Sequence, residues 1–204
     1  MAKNAKKITL KAQHMTHLAI FASGAGSNAD KIMDYFKDSD RIKVALIVCN
    51  KPGAGVLEIA KKWGIEAILI EKQGFFSEKS CILALKQHKI DFIVLAGFLW
   101  KVPEVLVAAY PQRIINIHPA LLPKYGGKGM YGDKVHAAVI AAGEAESGIT
   151  IHYVNEHYDE GNIIFQAKCP VELGDTPANL ATKIHALEHT HFARVVEGVV
   201  REIN

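Results

Sequence analysis

The stretch HLAIFASGAGSNADKIMDYFK (residues 17–37) joins a short apolar run to a helical pattern through a turn of small residues. The run 17–22 is short and mostly apolar, which is typical of a strand buried on both faces of a sheet. Apolar residues then recur at helical spacing over 28–37. The stretch therefore predicts a strand, a tight turn and a helix, and this is the unit that the chain goes on to repeat.

The same alternation of buried strands with amphipathic helices continues to residue 97. Predicted strands cover residues 42–50, 66–70 and 91–97, and predicted helices cover 55–64 and 77–89, with Ser77 as a candidate N-cap. Strands separated by helices pair in parallel, because the helix carries the chain back to the same end of the sheet. The pattern predicts an α/β fold with a doubly wound, mostly parallel twisted sheet.

The pattern changes after Gly143. Two strand-like runs, 147–156 and 162–171, are separated by a connection too short for a helical crossover, which predicts an antiparallel pair. One long closing helix is predicted over 177–203, with Asp175 or Thr176 near its cap. We see no internal repeat and no interdomain linker, so residues 15–204 are expected to form a single domain.

Composition and charge narrow the classes of protein. Net charge is only +3 in 204 residues, which does not indicate binding to nucleic acid or to a membrane surface. The three cysteines are far apart and suit reduced thiols in the cytoplasm. Residues 1–14 are basic and polar without an apolar core, so a mobile tail is expected rather than a secretory signal. No apolar run approaches the ~20 residues that span a bilayer.

The turn of residues 23–28, SGAGSN, is the first candidate binding element. Small residues at Gly26, Ser27 and Asn28 would let a ligand approach the backbone, and the free N–H groups that open a helix suit a phosphate. The spacing matches neither GxGxxG nor a Walker loop. A plain tight turn with Ser27 or Asn28 as N-cap remains an equal alternative.

Asn116 and His118 are the first catalytic candidates. They end the predicted strand of IINIH (residues 114–118), and residues two apart on a strand point to the same side. An amide can donate to a developing oxyanion, and an imidazole can carry a proton. Asp159, in the short connection between the two late strands, is the best candidate to orient the His, with Glu160 as its competitor. Capping or turn roles are the alternative for each of these residues.

The remaining histidines carry weaker signals. His152 alternates within a strand and points either at the site or into the core. His185 and His189 are four apart on the closing helix and have the spacing of a metal pair. No suitable third ligand is evident, so no metal is predicted.

Taken together, the segments 23–28, 115–127 and 148–166 resemble glycinamide ribonucleotide formyltransferase, the one-carbon transferase of de novo purine (IMP) biosynthesis that uses 10-formyltetrahydrofolate. Residues 91–98 and 186–192 are similar as well. The resemblance implies a Rossmann-like formyltransferase fold and no metal. It also implies a tetrahedral oxyanion stabilised by Asn116 and His118, with Asp159 assisting proton transfer.

The resemblance also implies the binding residues. The ribonucleotide phosphate is expected at Gly26, Ser27 and Asn28, and its ribose hydroxyls at Glu188. The folate is expected between the segments 97–102 and 154–159. Its expected contacts are Phe98, Leu99, Trp100, Lys101, Val102, Val154, Glu156 and His157.

The chain departs from the family pattern in two places. The segment 126–138 is longer and richer in glycine than the common family loop. Trp100 and Lys101 stand where an arginine is common, so recognition of the folate glutamate tail is expected to differ.

Three other functions fit parts of the sequence. Methionyl-tRNA formyltransferase needs an extra C-terminal domain and a basic surface, and formyltetrahydrofolate hydrolase carries an additional N-terminal regulatory domain. A nonenzymatic phosphosugar-binding module explains the glycine turn but leaves Asn116, His118 and Asp159 unexplained. The expected partners are small molecules only, and the expected state is a monomer or homodimer.

Overall fold

A seven-stranded sheet organises the protein, in the strand order β3-β2-β1-β4-β5-β6-β7. The structure is a computed structural model, and it describes residues 14–77 and 80–203. The tail expected over 1–14 therefore lies outside the described residues except for His14. The strands are β1 (Thr16–Ala22), β2 (Ile42–Cys49), β3 (Ala67–Leu69), β4 (Phe92–Leu95), β5 (Ile114–His118), β6 (Glu146–Tyr153) and β7 (Ile163–Pro170).

Helices cover both faces of this sheet. They are α1 (Ser27–Phe36), α2 (Gly55–Trp63), α3 (Lys72–Ser77), α4 (Ser80–Gln87), α5 (Glu104–Ala109), α6 (Asp133–Ala141) and α7 (Pro177–Glu202). Alternate residues of β1 divide the core: Leu18 and Ile20 pack with α1, α2, α6 and α7, and Ala19 and Phe21 pack with α3, α4 and α5. Burial on both faces explains why β4 is apolar throughout and why apolar residues dominate β1 and β2.

The predicted fold class is confirmed. The first five strands in the order, β3 to β5, run parallel, and β6 and β7 are antiparallel to their neighbours. The predicted helix over 77–89 is wrong in its bounds, because Ser77 ends the short helix α3 and α4 begins at Ser80. The helix α5 was not predicted, since its six residues are fewer than two turns and show little periodicity.

The closing helix α7 begins at a complete capping box. The Thr176 side chain accepts a hydrogen bond from the Asn179 N–H at 3.2 Å, and the Asn179 side chain accepts one from the Thr176 N–H at 3.1 Å. Pro177 follows the cap, where its missing N–H costs nothing. Of the two caps that the sequence left open, the structure uses Thr176. The buried side chains of the helix then pack against α1 and α6.

The fold leaves one crevice where ligands commonly bind in such proteins. From β1 the chain first adds β2 and β3 on one side of the sheet, and then adds β4 and β5 on the other side. The connections that leave the carboxyl ends of β1 and β4 therefore diverge, and a crevice forms between them. The turn after β1 and the end of β5 both lie at this edge. Within the described residues, no helix is both long enough and apolar enough to cross a bilayer.

Two glycine substitutions should change stability in opposite directions. A Cβ at Gly148, in β6, would overlap the Ala167 carbonyl of the neighbouring strand, so Gly148→Ala should lower the free energy of unfolding by ~1–3 kcal/mol. A Cβ at Gly198, exposed within α7, meets no atom within 4 Å, so Gly198→Ala should raise it by ~0.5–1 kcal/mol. Urea denaturation of both variants measures the difference, and equal effects of one sign would contradict the packing described for β6.

Candidate active site

The strand β5 carries Asn116 and His118 on the same side of the sheet. His118 is buried and Asn116 is half-buried. The alternate residues Ile115 and Ile117 face the core shared with α1 and α7. The apolar residues fix the register of the strand, and the two polar residues consequently share the other face.

Asp159 joins these two residues from the connection between β6 and β7. One of its carboxylate oxygens lies 3.6 Å from His118 Nδ1, and the other lies 3.5 Å from Asn116 Nδ2. Its backbone adopts φ +56°, a left-handed conformation that Asp tolerates better than most residues. The competitor, Glu160, is exposed. The structure thus brings together the three residues that the sequence selected.

His152 is a fourth member of this group. It pairs with Asn116 across the β5–β6 ladder, and its Nε2 lies 3.1 Å from Asn116 Nδ2. Its Nδ1 lies 2.8 Å from the Tyr153 carbonyl oxygen, so Nδ1 carries a proton and donates to that oxygen. The sequence left the direction of His152 open. Only the antiparallel register could have settled it.

Burial and the neighbouring polar groups have opposing effects on the pKa of His118, and likewise on the pKa of Asp159. Burial lowers the pKa of His118, although the Asp159 carboxylate and the Tyr125 carbonyl favour its charged form. Burial alone would raise the pKa of Asp159, but the contacts with His152, His118 and the Gly127 N–H outweigh it and hold that pKa below its usual value. In the ligand-free protein, the Asp is therefore ionised and burial favours the neutral form of the His.

The glycine-rich loop between β5 and α6 rests on this group. His118 Nε2 donates to the Tyr125 carbonyl at 2.8 Å, and the Gly127 N–H donates to Asp159 at 2.9 Å. A Cβ at Gly126 would overlap Leu122 and press on Asp159. The absence of a side chain at Gly126 thus lets the loop approach the carboxylate.

The turn at the start of α1 is open to a ligand rather than capped. The N-cap is Gly26, at φ +83°, and no side chain makes a capping hydrogen bond. Neither Ser27 nor Asn28 serves as the N-cap, so that part of the alternative is wrong. A Cβ at Gly26 would meet Val56 at 2.8 Å, which explains the glycine. Helix N–H groups without a side-chain cap are available to an anion.

Asn28 and Glu188 meet beside this turn. Asn28 Nδ2 donates to a Glu188 oxygen at 2.8 Å, and the Asn28 Oδ1 atom is buried without a hydrogen-bond partner. Burial raises the pKa of Glu188, partly offset by the bond from Asn28. A buried acceptor without a partner is costly, and it suits a site that a polar ligand completes. Gly26, Ser27, Asn28 and Glu188 are therefore close together, as the resemblance implied.

The segment after β4 forms an aromatic wall. Phe98 packs edge-on against Phe21, with ring centres 5.3 Å apart, and the ring centres of Trp100 and Phe76 are 5.9 Å apart. Leu99 is half-exposed, and its N–H donates to Ser23 Oγ at 2.9 Å, which links this segment to the turn after β1. Val102 is buried in the core, so any ligand contact there would involve its backbone.

The second expected folate segment faces the first through one side-chain pair. Lys101 Nζ lies 6.0 Å from the centre of the Tyr158 ring. Val154 is anchored, because its N–H donates to the Ile114 carbonyl at 2.9 Å, and Glu156 and His157 are exposed. The two segments thus approach each other at Lys101 and Tyr158, and the roles of these residues stay predictions.

The described part of the chain contains no group of three or more His, Cys, Asp or Glu placed to hold a metal ion. His185 and His189 stack with ring centres 6.3 Å apart on α7. The His189 Nε2 atom is buried without a hydrogen-bond partner.

Comparison with known proteins agrees with this geometry. Residues 16–196 match the family model described as formyl transferase. Phosphoribosylglycinamide formyltransferase of Bacillus subtilis (strain 168) is 36% identical over 191 residues, which cover 91% of this chain and 95% of the relative. The crystal structure of phosphoribosylglycinamide formyltransferase from Bacillus halodurans superimposes with a TM-score of 0.83 at 36% identity, covering 93% of this chain and 97% of that one.

Longer relatives match as well. The chloroplastic phosphoribosylglycinamide formyltransferase of Arabidopsis thaliana is 43% identical over 191 residues, and the match covers 91% of this chain but only 65% of that relative. The family model spans most of this chain, and the bacterial relative is matched over nearly its full length. The chain therefore belongs to the formyl transferase family, among the phosphoribosylglycinamide formyltransferases.

Proposed function

We propose that the protein transfers the formyl group of 10-formyltetrahydrofolate to the amine of glycinamide ribonucleotide, in de novo purine (IMP) biosynthesis. The observation that carries this proposal is the convergence of Asn116, His118 and Asp159 at the edge of the sheet where a helix without a side-chain cap also begins. The three side chains suit acyl transfer to an amine, and the helix N-terminus suits the phosphate of the acceptor.

Asn116 and His118 stabilise negative charge on the formyl oxygen while the amine attacks. The Asn116 amide has two N–H groups, and His152 takes one of them at 3.1 Å. The contact with Asp159 is weak at 3.5 Å, so the second N–H remains available to an oxyanion. Negative charge beside His118 offsets the effect of burial and raises the pKa of the ring, which then gains a proton.

Asp159 accepts the proton that the amine loses. Formation of the new C–N bond leaves the amine nitrogen with an extra proton, and the folate nitrogen needs one when its bond to the formyl carbon breaks. Asp159 is ionised and half-buried, which suits a base that accepts and returns this proton through His118 or a bound water.

The acceptor is held at the start of α1. The phosphate lies on the N–H groups of Ser27 and Asn28 with Gly26 allowing close approach, and Glu188 accepts from the ribose hydroxyls. The buried Asn28 Oδ1 atom without a partner supports a polar ligand at this point.

The donor is assigned to the segments 97–102 and 154–159, which approach each other at Lys101 and Tyr158. 10-Formyltetrahydrofolate supplies the formyl carbon, and its rings are flat and its tail acidic. Half-exposed Leu99 and the aromatic wall at Trp100 offer apolar contacts for rings, and Lys101 offers a cation for the tail. A lysine binds a carboxylate as a point charge, which differs from the paired donors of an arginine.

We also propose that the protein acts in the cytoplasm as a monomer or homodimer, without nucleic-acid or membrane partners. The mild net charge of +3 supports this view. Analytical ultracentrifugation and cell fractionation test the two parts, and a larger assembly or recovery with an organelle would contradict them.

A single assay tests the main proposal. The purified protein is mixed with glycinamide ribonucleotide and 10-formyltetrahydrofolate, and loss of the formyl group is followed by absorbance. Turnover that depends on both compounds is expected. Ribonucleotide binding without consumption of the donor would instead favour a phosphosugar-binding module, and turnover only with methionyl-tRNA would favour the other branch of the family.

The first prediction concerns the catalytic group. His118→Ala and Asp159→Asn should each lower kcat by roughly 100-fold or more, because each removes charge stabilisation or proton transfer in the transition state. The absorbance assay measures kcat, and Glu160→Gln, at the exposed neighbouring carboxylate, serves as the control. Near-normal turnover of either folded variant would remove that residue from the mechanism.

The second prediction concerns Glu188. Glu188→Gln should raise KM for the ribonucleotide by about 10–100-fold and leave KM for the folate unchanged, because a charged hydrogen bond to the ribose is lost. The matched control is Glu197→Gln, farther along the same helix, where the carboxylate binds Tyr35 instead. Equal increases of both KM values would contradict the assignment of Glu188 to the ribonucleotide.

A further inference from the structure

Glu144 holds the loop that covers His118 from the far side. Its carboxylate accepts a hydrogen bond from the Tyr125 hydroxyl at 2.9 Å, and Lys124 Nζ lies 2.9 Å and 3.1 Å from its two oxygens. Glu144 follows the C-terminal end of α6, where the Gly143 N–H donates to the Ile140 carbonyl. A carboxylate on the end of a packed helix is thus tied to a glycine-rich loop.

Tyr125 connects this carboxylate to the catalytic histidine. Its hydroxyl binds Glu144, and its backbone carbonyl accepts from His118 Nε2 at 2.8 Å. Its backbone has φ +57°, a conformation that costs a residue with a large side chain free energy and persists only when contacts enforce it. The hydroxyl bond at one end and the carbonyl bond at the other are such contacts.

The Tyr125 side chain packs against the core, but the loop also has open space behind it. A cavity of about 250 Å³ lies behind it, lined by Pro123, Lys124, Tyr125, Glu144 and Ser147 among others. Space behind a loop lets it withdraw when its anchoring bonds are lost, whereas a close-packed interior would keep it in place. The bonds to Glu144 are therefore placed to fix where the Tyr125 carbonyl lies.

We propose that Glu144 is a positioning residue for His118. Through the Tyr125 hydroxyl, it keeps the Tyr125 carbonyl against Nε2, which fixes the orientation of the imidazole and leaves Nδ1 facing Asp159. It also keeps the Gly127 N–H on Asp159. Its effect on catalysis rests on the proposed formyl transfer, but its effect on the histidine does not.

The test separates the hydroxyl route from the charge on Glu144. Tyr125→Phe and Glu144→Ala each remove the hydroxyl bond, and Glu144→Gln keeps an oxygen that can accept it. Lys124→Met removes only an ion pair whose lysine is largely exposed, which contributes little. In each ligand-free variant, nuclear magnetic resonance records the pH titration of the His118 ring and the hydrogen exchange of the Gly127 amide.

Tyr125→Phe and Glu144→Ala should lower the pKa of His118, since the Tyr125 carbonyl favours the charged ring. They should speed exchange at Gly127 and lower kcat/KM, each about tenfold, as expected for loss of one hydrogen bond to an ionised group. The double variant should be no worse than either single one. Glu144→Gln and Lys124→Met should stay within about twofold of the parent protein.

Two results would overturn the proposal. An unchanged His118 titration and unchanged Gly127 exchange in Tyr125→Phe and Glu144→Ala, with only a lower unfolding temperature, would make Glu144 a purely structural support. Additive losses in the double variant would mean that the two residues act separately. Absence of turnover in the parent protein would count against formyl transfer alone, because the titration and exchange measurements need no substrate.

Discussion

The carboxylate of Asp159 is the group on which the arrangement of the site depends. A buried anion is costly unless polar groups surround it, and this one has the Gly127 N–H at 2.9 Å, the Asn116 amide at 3.5 Å and two imidazole rings at 3.6 Å. Satisfying it requires a glycine-rich loop on one side and a polar strand end on the other. The same contacts keep it ionised, which the proposed chemistry needs.

The mixed sheet places Asn116, His118 and His152 around Asp159. The parallel strands bring the end of β5 to the same edge of the sheet as the turn after β1, with β4 between them, as expected for this class of fold. Because β6 then runs antiparallel to β5, His152 lies directly opposite Asn116. The short connection to β7 can return over the face that carries Asn116 and His118. An all-parallel sheet would need a helix in that connection and would leave no room for the loop of Asp159.

Much of this could be predicted from the sequence, for reasons that differ between elements. Long apolar runs and a clear helical period identified the central strands and α7, and spacing of two on β5 identified Asn116 and His118. The sequence did not predict the break between α3 and α4 or the six-residue helix α5, because short helices are defined by tertiary contacts more than by periodicity. The role of His152 depends on strand register, and the bond between Tyr125 and Glu144 depends on a loop conformation that no local pattern encodes.

The contact between Asn28 and Glu188 joins residues 160 positions apart. During synthesis on the ribosome, α1 emerges early, but its partner helix α7 emerges more than a hundred residues later. Until then, the apolar face of α1, with Ala29, Ile32, Met33 and Phe36, lacks much of its cover. The site formed by Asn28 and Glu188 is therefore among the last parts of the domain to form. Until then, the unfinished chain exposes an apolar surface that a chaperone would recognise.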